Sequence, residues 1–554
     1  MSRRAGVVLG CVVVLAALAG VAWVYRLELL LEVVEIQQRR DIAPTQTIDW
    51  DSGTDPAGRS VAERPPNIVV ILADDLGWND LSWQGGGVAG GSVPTPNLDA
   101  LAHEGVQFAN GYAANGTCAP SRAALMTGRY STRFGFEFTP TPAGFSTMVP
   151  MLSNAAPGRL RPSVVEDTGP SIPFADMGVP ASEITLAELL KPAGYHNVHI
   201  GKWHLGTSGG MAPHDQGFDE SLLMTSGLYL PEDDPNVVNS KQDFDAIDRF
   251  LWRVMKFGAS FNGGEEFEPG GYLTDYYTDQ AVKVIESNRD RPFFLYLAHW
   301  AVHTPLQALK DDYDALGHID EHRLRVYAAM VRSLDRSVGR VLTALRDNGL
   351  AENTLVFFTS DNGGPAYIGL PRVNEPFRGW KISYFEGGIH VPFFLKWPAR
   401  LAGGQTFEPP VHGFDIFATA AAAAGVEPPS DRTIDGVDLV PYVTGEAEGA
   451  PHEALFWRTG GYQVVLAGGY KLQVNEPPAP SQQWLFHLPT DPTEQVNLAG
   501  VEPERVAALL TLLAKHNAEQ AEPLWPSAVR SPINIDKTLL DPDAPDDEFI
   551  YWFN

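Results

Sequence analysis

The residues best equipped for chemistry begin with Cys118, which opens Cys118-Ala119-Pro120-Ser121-Arg122 and runs on through Ala123-Ala124-Leu125-Met126-Thr127-Gly128-Arg129. The sequence holds 2 cysteines; the other, Cys11, lies in an apolar N-terminal run, so Cys118 has no disulfide partner in the rest of the chain. Pro at +2 suits a first helical turn, and Ala123 to Met126 are good helix formers, which predicts Cys118 at a helix N-terminus. The free N–H groups and the dipole there favour an anion. Taken alone, the segment fits equally a small buried thiol, the commoner fate of a free cysteine.

Acids gather at two other places. Asn67-Ile68-Val69-Val70-Ile71-Leu72-Ala73 is a continuous apolar, β-branched run, the mark of a buried parallel strand, and it stops at Asp74-Asp75-Leu76-Gly77. Thr354 to Ser360 repeats the pattern and stops at Asp361-Asn362-Gly363-Gly364. Open α/β sheets place their ligands at the carboxyl ends of strands. Oxygen donors from Asp74, Asp75, Asp361 and Asn362 suit a hard cation, Ca²⁺ before Mg²⁺ because most ligands come from protein. Zinc does not fit, since neither pair brings His or Cys. Solvated turn carboxylates are the alternative, and the recurrence after an equivalent strand weighs against it.

Three more segments follow strands or precede one. Gly201-Lys202-Trp203-His204-Leu205-Gly206 follows His196–Ile200, His299-Trp300-Ala301-Val302-His303-Thr304-Pro305 leaves Arg291–Ala298, and Arg378-Gly379-Trp380-Lys381 leads to Glu386-Gly387-Gly388-Ile389-His390. A lone Lys or His after a strand is commonly a surface group. The set C-x-P-S-R with T-G, G-K-W-H-x-G, V-H-x-P, R-G-x-K…E-G-G and Asp491-Pro492-Thr493-Glu494-Gln495-Val496-Asn497-Leu498 nevertheless occurs in one order. It resembles the type I sulfatases over residues 66–517. F-L-Y-L-A…V-H-x-P-L-Q and W-K-x-x-x-x-E-G-G are similar to arylsulfatase B-like enzymes. His390 departs from the pattern, because the family often has Arg there.

The resemblance implies an alkaline-phosphatase-like α/β fold: a mostly parallel sheet flanked by helices, with a smaller C-terminal antiparallel α+β subdomain. It implies that a formylglycine-generating enzyme oxidises Cys118 to Cα-formylglycine, whose hydrate attacks sulfur to give a covalent sulfate hemiacetal. The same likeness assigns the metal to Asp74, Asp75, Asp361 and Asn362, the sulfate to Lys202 and Lys381, and orientation of the hydrate to Arg122. His303 would protonate the leaving alcohol, with Lys381 as a second donor, and His204 would take a proton as sulfate is expelled. His299 is read as a structural neighbour. The expected substrate is a sulfated small molecule or glycan. Two alternatives stay open: a formylglycine-dependent phosphonate monoester or phosphodiester hydrolase, and a silent sulfated-glycan-binding protein that keeps its thiol.

The elements that must position these groups read as follows. The 554 residues are 44% hydrophobic and carry 40 Lys and Arg against 68 Asp and Glu, a net −28 that excludes a nucleic-acid partner. Residues 5–25 lack charge behind Arg3 and Arg4 and predict export, as a signal peptide or as a membrane anchor. Leu27, Leu30, Leu31 and Val34 predict a juxtamembrane helix, and 41–65 reads as a linker. The catalytic domain is expected over 66–450, a small antiparallel sheet and helix over 451–522, and an acidic, aromatic tail packed on the main domain over 523–554. Helices are predicted from Asn97 to Gly105, from Ile184 to Lys191 and through Tyr327, Val331, Leu334, Val338, Val341 and Leu345. Residues 139–183 and 207–270 show no sustained period, apart from a short apolar helix expected near Phe250 to Phe257; the first stretch is read as pocket wall or surface excursion.

Overall fold

A computed structural model of the chain describes residues 11, 13–15, 17–18, 20–23, 25–37, 41–60, 63–166, 168–169, 172–475 and 482–554. At its centre the strand Asn67–Ala73 is buried along its whole length and pairs in parallel with Phe293–Ala298 on one side and Thr354–Ser360 on the other. Both faces of these strands are covered, which is why their sequences are apolar without alternation. The sheet has 10 strands in the order 405–407, 106–108, 393–396, 354–360, 67–73, 293–298, 196–201, 220–227, 257–261, 266–267. The interior pairs are parallel, and strands 393–396 and 257–261 run antiparallel to their neighbours.

Register decides what meets at the sheet's edge. Ala73 lies opposite Ser360, Leu72 opposite Ala298, and Ala298 opposite Gly201. The residues that follow, Asp74, Asp361, His299 and Lys202, therefore leave neighbouring strands at one level. Helix His322–Asp347 covers one face through Tyr327, Val331, Leu334, Val338, Val341 and Leu345, as the spacing predicts, with Asn348 as its C-cap. Helix Pro96–Glu104 packs on the same side through Leu98 and Leu101, and helix Asp415–Ala423 packs on the other face.

The C-terminal strands Ala454–Thr459, Tyr462–Ala467, Tyr470–Asn475 and Gln482–His487 form the expected antiparallel sheet, backed by helix Pro503–Asn517. Lys471, fully buried in this sheet, pairs with Glu386 at 2.7 Å and Glu494 at 3.1 Å, while Glu494 accepts from the Glu386 backbone N–H at 2.6 Å. The acids of the two motifs E-G-G and D-P-x-E thus join the small sheet to the loop that carries Lys381. His390 serves the same joint, bonded to Glu386 and to the Ala109 carbonyl and stacked on Phe377.

Several expectations need correction. Residues 139–183 contain the helix Phe145–Ala155, which Pro150 inside it hides from a propensity reading. Residues 207–270 contain the strands Glu220–Gly227, Val237–Ser240 and Phe257–Phe261, and the apolar helix expected near Phe250–Phe257 lies at Ala246–Val254. The juxtamembrane helix exists as Arg26–Gln37, but Leu31 is buried against Met148, Val149, Leu152, Phe250 and Leu251, so it packs on the folded domain. The linker is not free either, since Ile48 and Trp50 are buried in the main core and Trp50 Nε1 donates to Gln280 at 2.9 Å. In the tail, Phe549–Phe553 pairs with Val529–Asn534, which pairs with Val164–Val165. Among the described residues no single helix is long and apolar enough to cross a membrane; Val13–Trp23 and Arg26–Ile36 pass only as a pair bent by 73°. Residues 1–10, where the uncharged run begins, lie outside the described residues.

Candidate active site

Cys118 is the first residue of helix Cys118–Thr127, with Thr117 as N-cap in extended conformation. Every residue of that helix is buried, so the thiol is fixed between the helix end and the sheet edge. Its Sγ lies 3.3 Å from Lys381 Nζ, 3.5 Å from Asp74 Oδ1 and 3.8 Å from Asp75 Oδ1. Burial, with the carboxylates of Asp361 and Asp74, pushes the thiol far above the ordinary cysteine range. An unmodified Cys118 is therefore a neutral thiol, unlike the thiolate a cysteine nucleophile needs.

The carboxylates come from the two central strands. Arg122, one turn beyond Cys118 and wholly buried, donates Nε to Asp361 at 2.9 Å, Nη2 to Asp74 at 2.9 Å and Nη1 to the Lys202 carbonyl at 3.1 Å. Lys202 Nζ sits 2.6 Å from Asp74 Oδ2, and Lys381 Nζ 2.6 Å from Asp75 Oδ1. Burial and the neighbouring Asp361 raise Asp74 to about 6. At Asp75 burial acts the same way, but Lys381, His303 and Lys202 outweigh it and hold that carboxyl below the usual range.

Two glycines allow the approach. Gly201 has φ +108°, and a Cβ there would lie 2.0 Å from the Ala298 carbonyl, so only glycine turns the chain to present Lys202. A Cβ on Gly363 would lie 2.0 Å from the Gly387 carbonyl, which is how the E-G-G loop closes over the second acid pair. Asp75 and His204, with φ of 60° and 62°, hold left-handed conformations that cost about 1 kcal/mol or more and are kept by the packing around them.

The residues fit a bound metal ion. Donor atoms of Asp74, Asp75, Cys118 and His303 all lie within 4.8 Å of one another. Asp361 Oδ1 accepts from the Asp75 backbone N–H at 3.3 Å. Asn362 gives its amide N–H to Asp75 Oδ1 at 2.8 Å, while its own Oδ1 is buried without a partner. Turning that amide over would present the orphaned oxygen toward the same carboxylate group, adding a neutral donor to three acids.

Both predicted catalytic histidines line the cavity above Cys118. His303 stacks on Trp300 at 3.9 Å; its Nδ1 lies 2.6 Å from the Thr304 carbonyl, which leaves Nε2, 3.6 Å from Asp75 Oδ2, on the site side. His204 Nε2 lies 3.1 Å from the Pro140 carbonyl, and its Nδ1 is buried with no partner. Burial, then Lys202, keeps His204 well below the ordinary histidine range, so it is a neutral imidazole with Nδ1 as acceptor. His299 is buried beneath the site, bonded to Ser337 at 2.8 Å, as a structural neighbour should be. Sequence reasoning missed Tyr367, whose hydroxyl donates to Asp75 at 2.8 Å and accepts from Lys381 at 3.1 Å. It follows Asn362 by five positions in the single 3-10 turn Ala366–Ile368, too short for a period to mark it. Trp300 was missed as well: besides holding His303, it lies 4.6 Å from Lys202 Nζ.

Two lysines and an arginine paired with a buried acidic cluster able to hold a metal ion, at the carboxyl edge of a sheet in an alkaline-phosphatase-like α/β fold, are the setting of an enzyme acting on anionic esters. A family model described as Sulfatase matches residues 66–426, and the chain belongs to this family, as a type I sulfatase and a sulfuric ester hydrolase. It is 38% identical over 419 residues to mouse N-acetylgalactosamine-6-sulfatase, covering 74% of this chain and 72% of that protein. It is 33% identical over 470 residues to mouse steryl-sulfatase, covering 74% and 70%. Among solved structures it is similar to Ps i-CgsB in complex with k-i-k-neocarrahexaose, with TM-score 0.68, 29% identity, and 83% and 95% of the two chains covered. Members of the family generally use a formylglycine and a divalent metal.

Proposed function

We propose that the site hydrolyses sulfate monoesters with a nucleophile derived from Cys118, in which the named side chains take separate roles. A Cα-formylglycine at position 118 would supply a hydrated aldehyde oxygen as nucleophile, and Asp74, Asp75, Asp361 and Asn362 would hold a calcium ion, whose charge would make that oxygen more acidic. Calcium is preferred to magnesium because most of the donors are protein oxygens. Lys202 and Lys381 bracket position 118 and neutralise the non-bridging sulfate oxygens. Arg122 orients the nucleophile through Asp74 and Asp361, holding both carboxylates in place. His303, with Nδ1–H donating to the Thr304 carbonyl, must first take up a proton from solvent at Nε2 beside Asp75; as the imidazolium it delivers that proton to the leaving oxygen, with Lys381, whose ammonium stays protonated, as the second donor. His204 accepts a proton at Nδ1 when sulfate departs.

The catalytic unit is residues 66–450, with 451–522 as its C-terminal subdomain and 523–554 as a tail, and the formylglycine-generating enzyme is its partner in maturation. The uncharged run 5–25 directs the chain out of the cytoplasm, as a signal peptide or as an anchor. The relatives' names divide between a sugar 6-sulfate and a steryl ester, so they leave the alcohol undecided.

The observation that carries this reading is the convergence of Lys381, Asp74 and Asp75 within 3.8 Å of Cys118 Sγ. Peptide mass analysis of protein from its native host should find the aldehyde in place of the thiol at position 118. Sulfate release from 4-nitrophenyl sulfate should fall on the order of 10⁴-fold or more in Cys118→Ala. A retained thiol with no turnover favours the silent glycan-binding protein, and preference for a phosphodiester favours the diester hydrolase.

A further inference from the structure

The cavity above Cys118 has a volume of about 830 Å³ and two unlike halves. The floor holds Cys118, Lys202, Lys381 and His303. The roof and far wall are built by Phe145, Phe174, Met224, Leu251, Met255 and Trp300, from five separate stretches of chain. Among the described lining residues there is no Asp, Asn, Gln or Arg. The two lysines are those already paired with Asp74 and Asp75, and the carboxylate on the far wall is Glu266.

That lining decides between classes of alcohol. A sugar ring turns several hydroxyls toward its site, and each hydroxyl buried without a partner costs more than the ring's apolar faces return. Such sites answer with forked donors and acceptors; beyond the floor this lining offers single hydroxyls, among them Thr141, Thr207, Thr225 and Ser226, with His214, and Glu266 as its one forked group among the described residues, against a larger aromatic and aliphatic surface. A second sulfate or a uronate would meet Glu266 with no spare cation, in a chain whose net charge is −28. An apolar ring system meets aromatic and thioether surface, and the volume admits more than one ring.

We propose that this site takes the singly charged sulfate ester of a largely apolar alcohol of more than one ring, aryl or alicyclic, in preference to a sulfated sugar. The inference rests on the sulfatase reading above and names the substrate class for it. Kinetics on the full-length, formylglycine-bearing protein test it with 4-nitrophenyl sulfate, a polycyclic aryl sulfate and N-acetylgalactosamine 6-sulfate. The polycyclic ester should show a KM about tenfold below that of the single ring, and the sugar ester a kcat/KM at least about a hundredfold below the polycyclic one. Phe174→Gln, at a position 45% exposed and so without consequence for folding, and Met224→Gln should each raise the polycyclic KM about tenfold. A preference for the sugar ester, or polycyclic KM values unmoved in both variants, overturns the substrate class and leaves the hydrolase intact. Absence of sulfate release from all three esters overturns the hydrolase reading and this one with it.

Discussion

The floor and the roof of the cavity are made in opposite ways. The floor is assembled from the ends of buried neighbouring strands and one helix N-terminus, and its charged groups neutralise one another through contacts of 2.6 to 3.5 Å. The roof comes from helices Phe145–Ala155 and Ala246–Val254, which lie outside the sheet and are held together by helix Arg26–Gln37. Leu27, Leu31 and Val34 pack on both insertion helices, and Arg249 and Arg253 pair with Glu28, Glu32 and Glu35. A sheet edge fixes geometry to the precision that bond making requires. A cluster of surface helices can vary in shape without disturbing it, which is where selectivity between alcohols belongs.

The largest expected break is therefore in the floor. Lys381 touches Sγ of Cys118, Asp75 and the Tyr367 hydroxyl, and its ammonium stays protonated because Asp75 and the other nearby anionic groups outweigh the cost of burial. Lys381→Met should lower kcat on the order of 10²- to 10³-fold with a small change in KM, as for loss of one preorganised charge at the transition state. Tyr367→Phe removes only the hydrogen bond that steadies Asp75 and Lys381, and should cost about tenfold in kcat. If both variants moved KM alone, the floor would be a binding surface and the contrast with the roof would fail.

The same contrast explains what was legible in the sequence. Floor residues announced themselves because a buried parallel strand reads as an unbroken apolar run, and a pair of acids at its end has no packing role to explain it. Cys118, Arg122, Lys202 and Lys381 were legible through the resemblance of their motifs to the type I sulfatases, and Gly201, where any other residue would strike Ala298, fixes the turn that presents Lys202. The roof was illegible for a physical reason. Its helix Phe145–Ala155 contains Pro150, its strand Glu220–Gly227 carries a bulge between Met224 and Ser226, and its third support is separated from them by more than a hundred residues. Arg26–Gln37 read as a juxtamembrane helix because its apolar positions were visible and the surface they cover was not.

A smaller effect is expected from loosening the roof. Leu31 is 1% exposed at the centre of the three-helix contact. Leu31→Ala leaves a cavity worth about 2–5 kcal/mol in a well-packed core, taken here from a peripheral cluster. The expected result is a several-fold rise in KM for apolar esters with kcat nearly unchanged, together with faster amide exchange over 145–155 and 246–254. A fall in kcat equal to the change in kcat/KM would mean that the helix braces the floor instead.

The smallest effect should come from protons. Asp245 caps helix Ala246–Val254 by accepting from the backbone N–H groups of Ile247 and Asp248, and Asp248 accepts from the Gln242 N–H. Burial raises Asp245 to about 7, and burial with the adjacent Asp245 raises Asp248 to about 8. Both folded values stand above the unfolded one, so the folded helix binds more protons than the unfolded chain between pH 4 and 8. Its stability is then complete below the unfolded value and declines as pH rises through 7 and 8. Amide exchange over 246–254 should accelerate from pH 6 to pH 9 beyond its intrinsic rise, while exchange in strand Asn67–Ala73 should follow the intrinsic rise alone. Asp248→Asn should flatten the first profile and leave the second as it was. If both segments responded alike, roof and floor would open as one unit, and selectivity could not be altered without altering the chemistry beneath it.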